Sequence, residues 1–132
     1  RIQWRNVVSL PTPYAVALLA ALNVQRYASE KGKALSRVRL SRSTLCAISK
    51  RKTFRRAFMD ELHESLESLG WMFFELPDGG FGLLEASSVA GWTKISSSRI
   101  SKEVSAISKG RMSEEELENT LEIDEDDSSD DE

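Results

Sequence analysis

Residues 53–86 read TFRRAFMDELHESLESLGWMFFELPDGGFGLLEA, and the change of period inside this stretch decides the fold. Up to Leu69 the apolar residues Phe54, Phe58, Leu62, Leu66 and Leu69 recur by fours and threes, the spacing that gathers them on one face of a helix. The opposite arc carries Thr53, Arg56, Asp60, His63, Glu64 and Glu67. Thr53 can cap the first turn and Gly70 can stop the last, so the spacing predicts a helix over Thr53–Leu69. After Gly70 two β-prone runs, Trp71–Leu76 and Phe81–Ala86, flank Pro77-Asp78-Gly79-Gly80. Proline presets the first turn dihedral and glycine accepts positive φ, so this segment reads as a β-hairpin. Trp71 is expected in the core, closing the hairpin onto the helix.

Upstream, Thr12 is placed as an N-cap with Pro13 at the first helical position, which predicts a helix from Pro13 to about Ser29, ended by Gly32. Val16, Leu19, Ala20, Asn23 and Tyr27 are spaced near its period. Ile2–Leu10 reads as an extended lead-in. Val38–Leu40 is a short strand, and Ser41–Lys50 a short helix with Leu45 and Ile48 on its apolar face and Cys46 as a small core residue. Downstream, Trp92, Ile95, Ile100, Val104 and Ile107 continue a weaker apolar pattern, with Ser97 or Ser98 as a cap for a helix reaching Lys109. This region is expected to pack on the core or to form a homodimer contact. Ser113-Glu114-Glu115-Glu116 has capping-box spacing and predicts an acidic helix over Ser113–Leu121. Beyond Glu122 no fixed structure is expected. The resulting fold class is α+β and mostly helical: one domain over residues 1–110 and an acidic, largely disordered tail over 111–132.

Charge divides the chain more sharply than the elements do. Lys31, Lys33, Arg37, Arg39, Arg42, Lys50, Arg51, Lys52, Arg55 and Arg56 follow one another without an intervening acid. From Met112 to Glu132 there are twelve acids and no Lys or Arg. The listless net charge of −3 is therefore the difference between a basic body and a polyanionic tail. Clustered positive charge suits a nucleic-acid-binding surface, whereas a block of acids suits an interaction tail.

Helix, short strand, short helix, longer helix ending Leu69-Gly70-Trp71, then a hairpin: over residues 12–88 this order resembles a winged helix-turn-helix domain. The resemblance implies a third helix that enters the DNA major groove and a hairpin, the wing, that touches the backbone or minor groove. It implies double-stranded DNA as the partner and a transcriptional regulator or a plasmid or phage accessory factor as the function. The third helix is basic only in its first turn, which suits entry by its N-terminal end. Lys50, Arg51, Lys52 and Arg55 are expected to grip phosphates, with Arg42 and Ser43 assisting from the preceding helix and Thr53 at the helix start. Arg56 is the candidate for reading a base, because its planar fork makes two bonds to guanine. The wing departs from the family pattern: Asp78 sits at its tip, Glu75 and Glu85 flank it, and it has no Lys or Arg. That departure supports the alternative, a winged-helix subunit that docks on other proteins. The tail is expected either to fold back on the basic body in competition with DNA or to engage a protein partner.

Other classes find little support. A lone Cys46 excludes an intramolecular disulfide, and a lone His63 seventeen residues away offers no zinc spacing. His63 lies on the exposed arc, where a solvated imidazole is expected. No Gly-rich phosphate loop and no histidine-paired nucleophile appear, so no enzyme activity and no cofactor are expected. No apolar run reaches membrane-span length and no secretory signal pattern is present. The expected location is the bacterial cytoplasm, with the nucleoid, or the nucleus in a eukaryote.

Overall fold

The computed structural model describes residues 9–121. Residues 1–8, which hold most of the expected lead-in, and 122–132, which hold the end of the acidic tail, lie outside the described residues. The fold is α+β and mostly helical. Contacts divide it after Trp92 into two units.

The first unit runs α1 (Pro13–Lys31), β1 (Arg37–Leu40), α2 (Arg42–Ser49), α3 (Arg56–Ser68), β2 (Trp71–Glu75) and β3 (Phe81–Glu85), followed by a 3-10 turn over Ala86–Gly91. The helix ends follow from local chemistry. Thr12 Oγ1 accepts from the Ala15 N–H at 3.1 Å, and Gly32 stops α1 in the left-handed conformation at φ 68°. Ser41 Oγ accepts from the Thr44 N–H at 3.1 Å and caps α2. Gly70, at φ 91°, follows α3 as predicted.

Helix α3 begins three residues later than the predicted Thr53. Phe54 is drawn toward the core, stacked on Phe58 with ring centres 5.8 Å apart and set edge-on to Phe81 at 6.1 Å. Arg55 then has an extended backbone (φ −78°, ψ 155°) and occupies the cap position without a side-chain cap bond. Thr53 is left exposed in the loop before it. Along α3 itself the predicted stripe faces inward: Phe58, Leu62 and Leu66 are buried, while Phe54 and Leu69 pack half-buried against them. Thr53, Arg56, Asp60, His63, Glu64 and Glu67 are all exposed.

Helix α1 buries Val16 and Ala20 of the expected set, but its buried face is turned away from the other three. Its buried residues are Val16, Ala17, Ala20 and Val24, whereas Leu19, Asn23 and Tyr27 are exposed. Apolar residues surround this helix, so periodicity alone does not select a face. The small side chains of Ala17 and Ala20 favour the side that packs against α3, because they let two helix backbones approach.

The sheet has three antiparallel strands in the order β1-β3-β2. Its inner face contributes Leu40, Phe73, Phe81 and Leu83 to the core, with Val38 and Trp71 at the margin. The β2–β3 register pairs Phe73 with Leu83, and β1 pairs Val38 with the same Leu83. At the hairpin Gly79 takes φ 92°, and the Gly80 N–H donates to Asp78 Oδ1 at 2.9 Å. Gly82 is required for a different reason. A Cβ there would lie 2.5 Å from the ring of Phe74, its cross-strand neighbour.

The second unit contains a 3-10 turn over Ser98–Ile100, α4 (Ser101–Ser108) and a helix, α5, over residues 114–121. The capping box forms as predicted: the Ser113 N–H donates to Glu116 Oε1 at 2.8 Å and the Glu116 N–H to Ser113 Oγ at 3.2 Å. Neither Ser97 nor Ser98 caps α4 itself. Ile100 holds that position without a side-chain bond, because the 3-10 turn intervenes.

Candidate functional site

The eight residues singled out from the sequence fall on one continuous run of α2, loop and α3, and the structure uses them in different ways. Arg42 and Ser43 open α2. Both are exposed, and the Ser43 hydroxyl lies 3.0 Å from the Ser41 hydroxyl that caps the helix. The Arg42 guanidinium sits over the Phe54 ring, 4.7 Å from its centre, so the arginine that begins α2 is held beside the residue that delays α3.

Lys50 closes α2 in the left-handed conformation at φ 59°, where its N–H donates to the Cys46 carbonyl. It is the single non-glycine residue with positive φ among the described residues. Glycine is favoured at such a cap, and a lysine there costs about 1 kcal/mol of backbone strain. The Cys46 sulfur is half-buried and lies 3.9 Å from the Lys52 carbonyl oxygen, which ties the helix to the same loop.

Arg51 differs from its neighbours. Its Nη1 donates to the Pro11 carbonyl at 2.9 Å and to the Ser49 carbonyl at 3.1 Å. The guanidinium also lies 4.2 Å from the centre of the Phe58 ring. This half-buried arginine fastens the segment before α1 to the α2–α3 loop, a packing role that a count of charges does not reveal. Ser49, whose carbonyl it binds, is itself fully buried, and its hydroxyl has no partner.

Lys52, Thr53, Arg55 and Arg56 are all exposed. They surround the start of α3, the one end among the first three helices whose N-terminus lacks a side-chain cap. Free N–H groups and the positive end of the helix dipole thus coincide with three bases. Among the described residues the single ion pair is Arg39 with Asp78, so no carboxylate neutralises Arg42, Lys50, Lys52, Arg55 or Arg56 at salt-bridge distance. Glu61, one turn along α3, is the acid lining the recess that Lys52, Thr53 and Arg55 border.

Two basic residues of the sheet were missed by reading the hairpin alone. Pairing of β1 with β3 places Arg39 opposite Gly82 and Arg37 opposite Leu84. Arg39 Nη2 then donates to Asp78 Oδ2 at 2.7 Å, so the acid at the hairpin tip is matched by an arginine 39 residues earlier. No local pattern signals this, because the partner strand is distant in sequence. On the outer side of the sheet Phe74, Leu76, Leu84 and Trp92 border an open groove of about 750 Å³, with Arg37 and Arg39 along one wall. That size and mostly apolar lining match ligand or peptide clefts.

Among the described residues no group of three or more His, Cys, Asp or Glu side chains could hold a metal ion, and no helix is long and apolar enough to cross a membrane. His63 is exposed, with its ring edge-on to Phe73 at 6.0 Å. Comparison with protein-family models, curated proteins and solved structures returns no match.

Proposed function

We propose that this chain is a double-stranded DNA-binding protein of winged helix-turn-helix type, a transcriptional regulator or a plasmid or phage accessory factor. In this reading α2 and α3 are the helix-turn-helix, β2 and β3 the wing, and the N-terminal end of α3 enters the major groove. The observation that carries it is the start of α3: an uncapped helix end with exposed Lys52, Arg55 and Arg56 about it and Lys50 at the α2 end of the same loop, none of them paired with an acid among the described residues. The left-handed Lys50 supports it further, since a residue kept in a costly conformation where glycine would serve argues for a role of its side chain. Lys50, Lys52 and Arg55 grip phosphates with Arg42, Ser43 and Thr53 alongside, Arg56 reads a base edge, and Arg51 acts by holding the loop that carries the others. Asp78 at the wing tip no longer opposes phosphate outright, because Arg39 is bound to it.

Fluorescence anisotropy with duplex DNA across a salt series tests this reading. Four phosphate contacts, from Arg42, Lys50, Lys52 and Arg55, give a slope of log affinity against log salt of about −3.6. Replacing Lys50, Lys52, Arg55 and Arg56 together by Ala flattens it to roughly −1. Affinity that does not fall with salt, or a variant that keeps the full slope, sinks the proposal.

The second reading, a winged-helix subunit that docks on protein, is favoured by the apolar groove on the outer sheet face. Its sign is a chain that retards no duplex and loses a protein partner when Phe74 or Trp92 is replaced by Ser.

A further inference from the structure

Helix α1 carries a second apolar face, opposite the one buried in the core. From Pro13 through Gln25 it contains no charged residue. Val16, Ala17, Ala20 and Val24 face inward, yet Tyr14, Leu18, Leu19 and Leu22 stand 51%, 44%, 43% and 38% exposed on the other side. Tyr14, Leu18 and Leu22 are four residues apart, so they form one stripe, and Leu19 widens it. A helix that is apolar all round is normally buried all round. Thr12 and Gly32 fix both ends of α1, so the face exists before any partner arrives.

We propose that a second copy of this chain covers the face, two α1 helices packing antiparallel about a two-fold axis. A two-fold contact sets a surface against itself, which requires that like charges do not meet. In a chain with so concentrated a basic block, this uncharged helix face can meet its own copy without repulsion. Area sets the strength. The four side chains leave on the order of 100 Å² each in the open, and with Ala15 and Gln25 a pair of copies buries about 1,000 Å², the lower bound for a specific interface. The dimer is therefore reversible rather than obligate. It does not depend on the DNA reading, but if that reading is right it pairs two α3 ends and requires half-sites related by two-fold symmetry.

Sedimentation equilibrium of the full chain over a micromolar to sub-millimolar series tests the proposal. The expected mass rises from 14.8 kDa toward twice that value. The Leu18→Glu, Leu22→Glu double variant stays monomeric throughout with an unchanged circular-dichroism spectrum. Should it not fold, the milder Leu18→Gln weakens the dimer by about tenfold, as expected from lost apolar burial and a desolvated amide. Val104→Glu, in the exposed apolar stripe of α4, leaves the dimer intact. A wild-type chain that remains monomeric overturns the proposal. So does a dimer indifferent to both α1 variants, or one abolished by Val104→Glu, which would place the contact after the wing.

Discussion

Helices α1 and α3 pack against each other, yet they express opposite kinds of sequence. In α3 the apolar residues occupy one arc and charged residues the other, so the face that meets the core is written in the spacing of Phe58, Leu62 and Leu66. In α1 apolar residues run round the whole helix, and the core takes Val16, Ala17, Ala20 and Val24 while leaving larger leucines outside. The contrast teaches that amphipathicity tells a helix where to sit, whereas uniform hydrophobicity leaves the choice to packing and leaves a surface over. On α3 the surplus is charge at the N-terminal end; on α1 it is an uncharged apolar stripe.

The sharpest way to break this comparison is to truncate one leucine on each helix. Leu62 is fully buried, so Leu62→Ala is expected to lose about 3 kcal/mol of unfolding free energy in urea melts. Leu18→Ala, from the outward stripe of α1, is expected to cost under about 1 kcal/mol in dilute monomer. Equal losses would mean that the outward stripe belongs to the core.

The same logic separates two arginines four residues apart on the proposed binding surface. Arg51→Ala removes two hydrogen bonds from a charged donor and the contact with Phe58, and is expected to cost about 2 kcal/mol in thermal or urea unfolding. Arg55→Ala is expected to change stability by less than about 0.5 kcal/mol while weakening duplex binding. A stability loss at Arg55 to match that at Arg51 would remove the distinction between the fastening arginine and the free ones.

The smallest expected effect has the opposite sign. Lys50→Gly relieves a left-handed lysine and is expected to stabilise the fold by about 0.5–1 kcal/mol, while removing roughly one unit from the salt slope of DNA binding. Stabilisation without any change in the slope would leave Lys50 as a helix terminator alone.

Where the sequence was readable, the deciding interactions are local. Thr12, Ser41 and the Ser113–Glu116 pair cap helices within three residues, and Gly32 and Gly70 end them by their own φ angles. The hairpin turn is legible for the same reason. The start of α3 was misplaced because Phe54 answers to Phe81, far along the chain, rather than to Thr53 beside it. In the sequence Arg51 is one cation among ten, because its acceptors are carbonyls and any residue supplies a carbonyl.

The sequence by itself determined the helices and the hairpin, the inward face of α3 and the concentration of positive charge at residues 50–56. Periodicity, caps and turns act over a few residues and need no knowledge of distant partners. Only the tertiary structure decided which side of α1 is buried, that β1 joins β3 and brings Arg39 to Asp78, and which base of the loop is claimed by backbone carbonyls. Those outcomes depend on long-range packing, where a small alanine, a strand register or an unclaimed carbonyl selects among arrangements that local pattern leaves equivalent.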